Sequence, residues 1–250
     1  KMMYGRVIST SESEKSKLKK YGLKSQAIYN GTVIQSPPLI AGQARKGSKD
    51  VFKIVTCGRI EYQKGPDLFA KIAKQFENQP DVEFVWIGDG PQRNLLKGKN
   101  ITIKGWVESD EVFAEISDAD LYLSTSRWEG LPFSVLEAMS CGKPLLLKTC
   151  LGNQDLVHKG KNGFLFGDHK EAIGSINFYR KFPLFCELAG KESRIICEKL
   201  FSMDVTAINY RKEYLKHKGA KAISDFEINP FAFGEERYFG LEQNPKLIGK

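Results

Sequence analysis

The chain has 250 residues, 41 % of them apolar and 27 % charged, a balance ordinary for a globular protein able to bury a real core. No apolar run approaches the ~20 residues a membrane-crossing helix needs, and the stretch from Lys1 to Thr10 lacks the apolar segment of a signal peptide. Lys and Arg outnumber Asp and Glu by 38 to 30, a net charge of +8, but the lysines lie in scattered short groups; they read first as solvated faces and second as a surface for an anionic partner.

Residues 6–9 and 26–29 read as short strands flanking a lysine-rich helix over 13–21 that Gly22 ends. Residues 40–50, rich in Gly, Ala, Lys and Ser and without periodicity, read as a linker. From residue 51 the pattern becomes regular. Apolar, β-rich runs at 52–56, 82–87, 101–103, 121–124, 144–147 and 163–166 alternate with helical patterns over 67–76, 92–96, 110–117, 132–141 and 153–158. This alternation predicts an α/β fold, a Rossmann-like parallel sheet with helices on both faces. Residues 170–218 read as a helical extension, and 219–250 have no assignable structure. Five cysteines (Cys57, Cys141, Cys150, Cys186, Cys197) form no C-x-x-C pair and are odd in number. They argue against a zinc site or a disulfide framework and for a reducing compartment. With three dispersed histidines, no metal site is expected.

Four segments fall where strands end and helices begin, the place where open α/β sheets bind ligands. In Cys57-Gly58-Arg59-Ile60-Glu61-Tyr62-Gln63-Lys64-Gly65 a glycine lets the chain leave its strand. Arg59 and Lys64 can then supply a guanidinium fork and a point charge to phosphate oxygens; alone, the segment is equally a surface loop. Gly88-Asp89-Gly90-Pro91 is a tight turn that needs no ligand to explain it. Lys104-Gly105-Trp106-Val107 can set backbone groups against a planar base, or end a strand on a packed tryptophan.

The fourth segment, 128–144, is the most informative. Pro132 stands at or near the first position of its helix, so the N–H groups of Gly130, Leu131 and Phe133 lie where free donors and the helix dipole favour an anion. Val135, Leu136 and Met139 can face the core, with Glu137 among them. A carboxylate so placed needs a partner: a lysine, or the two vicinal hydroxyls of a ribose.

The stretch from Glu129 to Glu137 resembles the E-x7-E motif of the retaining glycosyltransferases with the GT-B fold (family GT4). The G-R-x-x-x-x-K-G loop, the G-D-G-P turn, the G-W-V segment, the later Gly152 and Asn162-Gly163-Phe164-Leu165, and the upstream Tyr29-Asn30-Gly31 are similar to that family's motifs in the same order. The resemblance implies that residues 51–218 are the nucleotide-sugar-binding domain, and that 1–39 are the last elements of an acceptor-binding domain. It implies roles as well. Arg59 and Lys64, next to Gly58, clamp the donor diphosphate; Glu137 holds the ribose; Glu129, with Gly130, Leu131 and Phe133, meets the transferred sugar; Trp106 and Val107 line the base pocket. Glu129, Arg59 and Lys64 are the expected catalytic residues. The implied donor is a UDP-sugar in preference to a GDP-sugar, and the acceptor a glycan or lipid-linked glycan. No cofactor or metal is implied, because fixed cations and a helix dipole neutralise the pyrophosphate. The setting is cytoplasmic, with room for peripheral association of the full-length protein with a membrane. Asp155, where many members have Glu, and the basic stretch 147–150 leave the donor sugar open.

A nucleotide-sugar-binding module without transferase activity is the second reading. A nucleic-acid-binding protein is the third and weakest, for want of any recognisable module. Because residues 1–35 supply only a strand–helix–strand of the acceptor side, the 250 residues alone are expected to bind a nucleotide weakly and transfer no sugar.

Overall fold

A computed structural model describes residues 7–34 and 51–216; the expected linker at 40–50 and the segment 219–250 lie outside them. Among the described residues, those through Thr206 belong to one compact unit and those from Ala207 to a second.

The chain opens with β1 (Val7–Ser9), α1 (Glu12–Lys20) and β2 (Ser25–Ala27). β1 and β2 pair in parallel, Val7 opposite Ser25. α1 begins where the Ser11 hydroxyl accepts the Glu14 N–H at 3.1 Å, while the Glu14 carboxylate accepts the Thr10 N–H at 2.7 Å. The first bond satisfies a donor that the helix start leaves free, and the second ties the residue before the cap to the first turn.

The main sheet follows: β3 (Phe52–Cys57), α2 (Pro66–Lys74), β4 (Val82–Ile87), β5 (Ile101–Gly105), α3 (Ser109–Asp118), β6 (Leu121–Ser124), α4 (Phe133–Ser140), β7 (Leu145–Lys148), α5 (Asn153–Leu156) and β8 (Gly163–Phe166). α6 (His169–Lys181), α7 (Pro183–Leu200) and α8 (Met203–Leu215) complete the described chain. Pro183 takes the first turn of α7, where its missing N–H costs nothing, so the expected helical stretch is divided there. All six strands of the sheet run parallel in the order β5-β4-β3-β6-β7-β8. The chain therefore builds outward from β3 to β5, returns to the other side of β3 at β6, and builds outward again. The carboxyl ends of β3 and β6 flank the resulting switch point, where crossovers leave to opposite faces and open a crevice.

Successive strand side chains point to opposite faces, and both faces are buried. Ile54, Phe84, Trp86, Leu121 and Leu146 pack with Phe69 and Ile72 of α2 and Ile176 of α6. Val55, Val85, Tyr122, Leu145 and Leu147 pack on the other face with Val135, Leu136 and Met139 of α4 and Ile196 of α7. Two buried faces are why the strands read as nearly continuous apolar runs.

Of the expected helices that are shorter than their patterns, two are cut by contacts with other parts of the chain. Residues 92–96 make only a 3-10 turn, Arg93–Leu95, because the Gln92 N–H is taken by Ile60 O at 3.0 Å and Gly90 lies against Ile60. The helix expected over 153–158 stops at Leu156, where Asn162 accepts the His158 N–H at 2.8 Å and donates to Leu156 O at 2.9 Å. All five cysteines are free thiols. Among the described residues no helix is long and apolar enough to cross a membrane.

Candidate active site

At the end of β3 the chain turns at Gly58 (φ 147°). Tyr122 of β6 is buried beneath this turn, and its hydroxyl accepts the Cys57 N–H at 3.3 Å. A 3-10 turn, Tyr62–Lys64, then ends at Gly65 (φ 66°). A Cβ at Gly65 would stand 2.3 Å from Thr125 O, and the Thr125 hydroxyl donates to Lys64 O at 2.8 Å. The backbone of Lys64 is thus fixed to the end of β6, and its stem lies over Gly58. Gly65→Ala should cost about 1–3 kcal/mol of stability, the usual toll of a left-handed non-glycine residue. Chemical denaturation measures it, and an unchanged midpoint would show that this turn is not pinned.

The loop after β6 is braced to the same turn. The Arg127 N–H donates to Gln63 O at 2.7 Å, and its guanidinium holds both carboxylate oxygens of Asp67, at 2.8 and 2.7 Å, while lying 4.0 Å from the centre of the Tyr62 ring. Burial acts to raise the Asp67 carboxyl, but the Arg127 guanidinium overrides it and holds the group below its ordinary value. Gln63 Nε2 donates to Trp128 O at 3.0 Å. These bonds deliver Glu129 to Lys64: Nζ stands 2.7 Å from Glu129 Oε1, with the side chains 21 % and 7 % exposed.

Pro132 caps α4 from outside the helix, which starts at Phe133, one residue later than the sequence suggests. Close backbone packing holds the preceding loop: a Cβ at Gly152 (φ 82°) would meet Gly130 O at 2.2 Å. The Asn30 side chain donates to Leu131 O at 3.0 Å, and a Cβ on Gly130 would stand 3.3 Å from the Thr10 hydroxyl. One turn into α4, Glu137 has no ion-pair partner among the described residues, so the lysine pairing weighed from the sequence is not formed. Burial pushes its carboxyl above the usual carboxylate range.

Gly58, Lys64, Glu129, Gly130, Leu131, Phe133 and Glu137 line one cleft of about 390 Å³ at the switch point, joined by Cys57, Pro132 and Ser134. The cleft brings a cation, a helix N-terminus and two carboxylates together, a set suited to a diphosphate and to hydroxyl donors. Burial, with the Glu137 charge adding to it, pushes the Cys57 thiol up to about 12, so it supplies no thiolate at neutral pH. Other expected residues are not in the lining. The Arg59 side chain is 62 % exposed, 3.5 Å from Glu61. Trp106, past the end of the edge strand β5, is 71 % exposed, and Val107 is half-buried against the α4 side of the core. The sequence reading missed Tyr122 and Arg127. Neither carries a local signal, since their partners lie about sixty residues away.

Residues 51–177 match the family described as Glycosyl transferases group 1. The UDP-Gal:alpha-D-GlcNAc-diphosphoundecaprenol alpha-1,3-galactosyltransferase of Escherichia coli is 31 % identical over 161 residues, 57 % of this chain. The chain spans 41 % of that relative's length. Among solved structures, sucrose-phosphate synthase from Thermosynechococcus elongatus superposes with a TM-score of 0.74 at 20 % identity, over 84 % of this chain and 58 % of that one. HepE of Anabaena, in complex with UDP and glucose, gives 0.69 at 24 % identity over 84 % and 62 %. These superpositions show the GT-B type of fold. With the matched region covering half of its residues, the chain belongs to the glycosyl transferases group 1 family.

Proposed function

We propose that the cleft binds a UDP-sugar, and that the protein transfers the sugar to a glycan or lipid-linked glycan with retention of configuration. The observation that carries this reading is the meeting of Lys64, Glu129, the start of α4 and Glu137 in one cleft at the β3–β6 switch point. Lys64 and the first N–H groups of α4 take the diphosphate, and Arg59, free to swing from its exposed position, closes on it. Glu137 takes the ribose hydroxyls, which supply the partners its carboxylate lacks. Glu129 faces the transferred sugar. Trp106 and Val107 take the base from the sheet edge. As the glycosidic bond breaks, positive charge grows on the anomeric carbon and negative charge on the leaving diphosphate; Lys64, Arg59 and the helix dipole stabilise the latter without a metal. The E. coli relative is named for a UDP-Gal donor and the Anabaena structure holds UDP, which supports uracil over guanine. We place the reaction in the cytoplasm, with the full-length protein peripheral to a membrane where the acceptor is lipid-linked.

A thermal-shift panel of UDP-, GDP- and ADP-sugars tests the reading. UDP-sugars should raise the melting temperature in EDTA, since a ligand at 100 times its Kd adds about 2.7 kcal/mol. Binding that appears only with magnesium or manganese would overturn the metal-free clamp.

A further inference from the structure

We propose that Glu129 makes the cleft prefer an intact nucleotide-sugar to the free nucleoside diphosphate, by holding Lys64 as its counter-ion and releasing it at a cost that only sugar hydroxyls, taking the lysine's place, relieve. The proposal rests on the donor-site reading above. Without ligand, the cation that is to meet the diphosphate is already paired, 2.7 Å from a carboxylate that is 7 % exposed. The pairing is built in. Gly58 supports the lysine stem, Thr125 fixes its backbone, and the Arg127–Gln63 brace ties the two loops together. No second cation pairs with Glu129 among the described residues.

A diphosphate that draws the ammonium away leaves a nearly buried carboxylate without its partner, which is costly. A free diphosphate carries only acceptors and cannot relieve that cost. A hexose presents hydroxyl donors next to the β-phosphate, so an intact donor gives Lys64 an anion and Glu129 a hydrogen bond at once. Once the sugar has gone, Glu129 competes for Lys64 again and loosens the remaining diphosphate. One ion pair thereby lowers affinity for the product more than for the substrate.

The experiment is a double-mutant cycle on the 250-residue chain, with UDP, UDP-glucose and UDP-galactose titrated in thermal-shift assays against wild type, Glu129→Gln, Lys64→Met and the double variant. Glu129→Gln should tighten UDP about tenfold, or about 1.4 kcal/mol, while changing the affinity for the preferred UDP-hexose by less than about threefold. In the Lys64→Met background the same change should leave UDP affinity within about twofold. Unchanged or weaker UDP binding by Glu129→Gln would overturn the proposal. So would an equal gain without Lys64, which would mark simple repulsion between Glu129 and the phosphates. Glu129→Ala serves as a second variant should the Gln protein fold poorly. If the wild-type chain binds none of the three ligands, the donor-site reading itself fails; if it binds them and Glu129→Gln changes nothing, only the counter-ion proposal fails.

Discussion

Replacing Glu137 by Gln should give a protein that is more stable without ligand and binds UDP about tenfold to a hundredfold more weakly, because hydrogen bonds to a charged group are worth about 1.5–3 kcal/mol. Both effects have one cause. Burial raises the Glu137 carboxyl above its ordinary value, and no cation pairs with it among the described residues. The folded protein therefore holds this proton to a higher pH than the unfolded chain does. Stability falls as pH rises from the unfolded value to the folded one, and the cost is complete above the folded value. The amide carries no such cost. Its advantage should be full above the folded value of the wild-type carboxyl and disappear on acidification as that carboxyl takes up its proton. UDP reverses the ranking, since ribose hydroxyls donate to a carboxylate better than to an amide. Melting temperatures of both proteins across pH, with and without UDP, check this, as does 2′-deoxy-UDP, for which the loss should be smaller. Equal losses for the two nucleotides, or a less stable apo variant, would make Glu137 a structural residue.

Lys64→Met should weaken UDP binding by about a hundredfold, or about 2.7 kcal/mol, and also destabilise the unliganded protein. Among the described residues the ammonium is the one cation in the cleft lining, and its loss strands the Glu129 carboxylate at 7 % exposure. Leaving a buried charge alone is more damaging than removing both members of a pair. Discounted for the 21 % exposure of the lysine, the cost should be about 1–3 kcal/mol. The double variant with Glu129→Gln should regain most of that stability and none of the UDP affinity. Denaturation midpoints of the single and double variants decide the first point, and UDP titration the second. A Lys64→Met protein that binds UDP as wild type does would remove the lysine from the donor site and leave Arg59 as the clamp.

Much of the site was legible in the sequence because its elements are local. The eight-residue interval between Glu129 and Glu137 joins a loop to a helix, and the glycines at 58 and 65 mark turns whose φ values of 147° and 66° favour glycine. Residues whose work depends on distant partners were not legible. Arg127 reads as an ordinary loop cation until Asp67 and Tyr62 are placed beside it. The helix expected over 153–158 forms but ends at Leu156 for the same reason, cut short by Asn162 from beyond its end.

The sequence by itself determined the class of fold, since strands buried on both faces must be continuously apolar and helices between them must carry one apolar face. It also determined which short segments meet at strand ends, because turns and helix starts are governed by a few consecutive residues. Only the tertiary structure decided the strand order β5-β4-β3-β6-β7-β8, and with it that the crevice opens between β3 and β6. It decided too that Lys64 meets Glu129 across 65 residues of chain while Glu137 is left with a desolvated carboxylate. Periodicity is a property of neighbours along the chain. Pairing of charges is a property of neighbours in space, set by how the sheet and its loops pack.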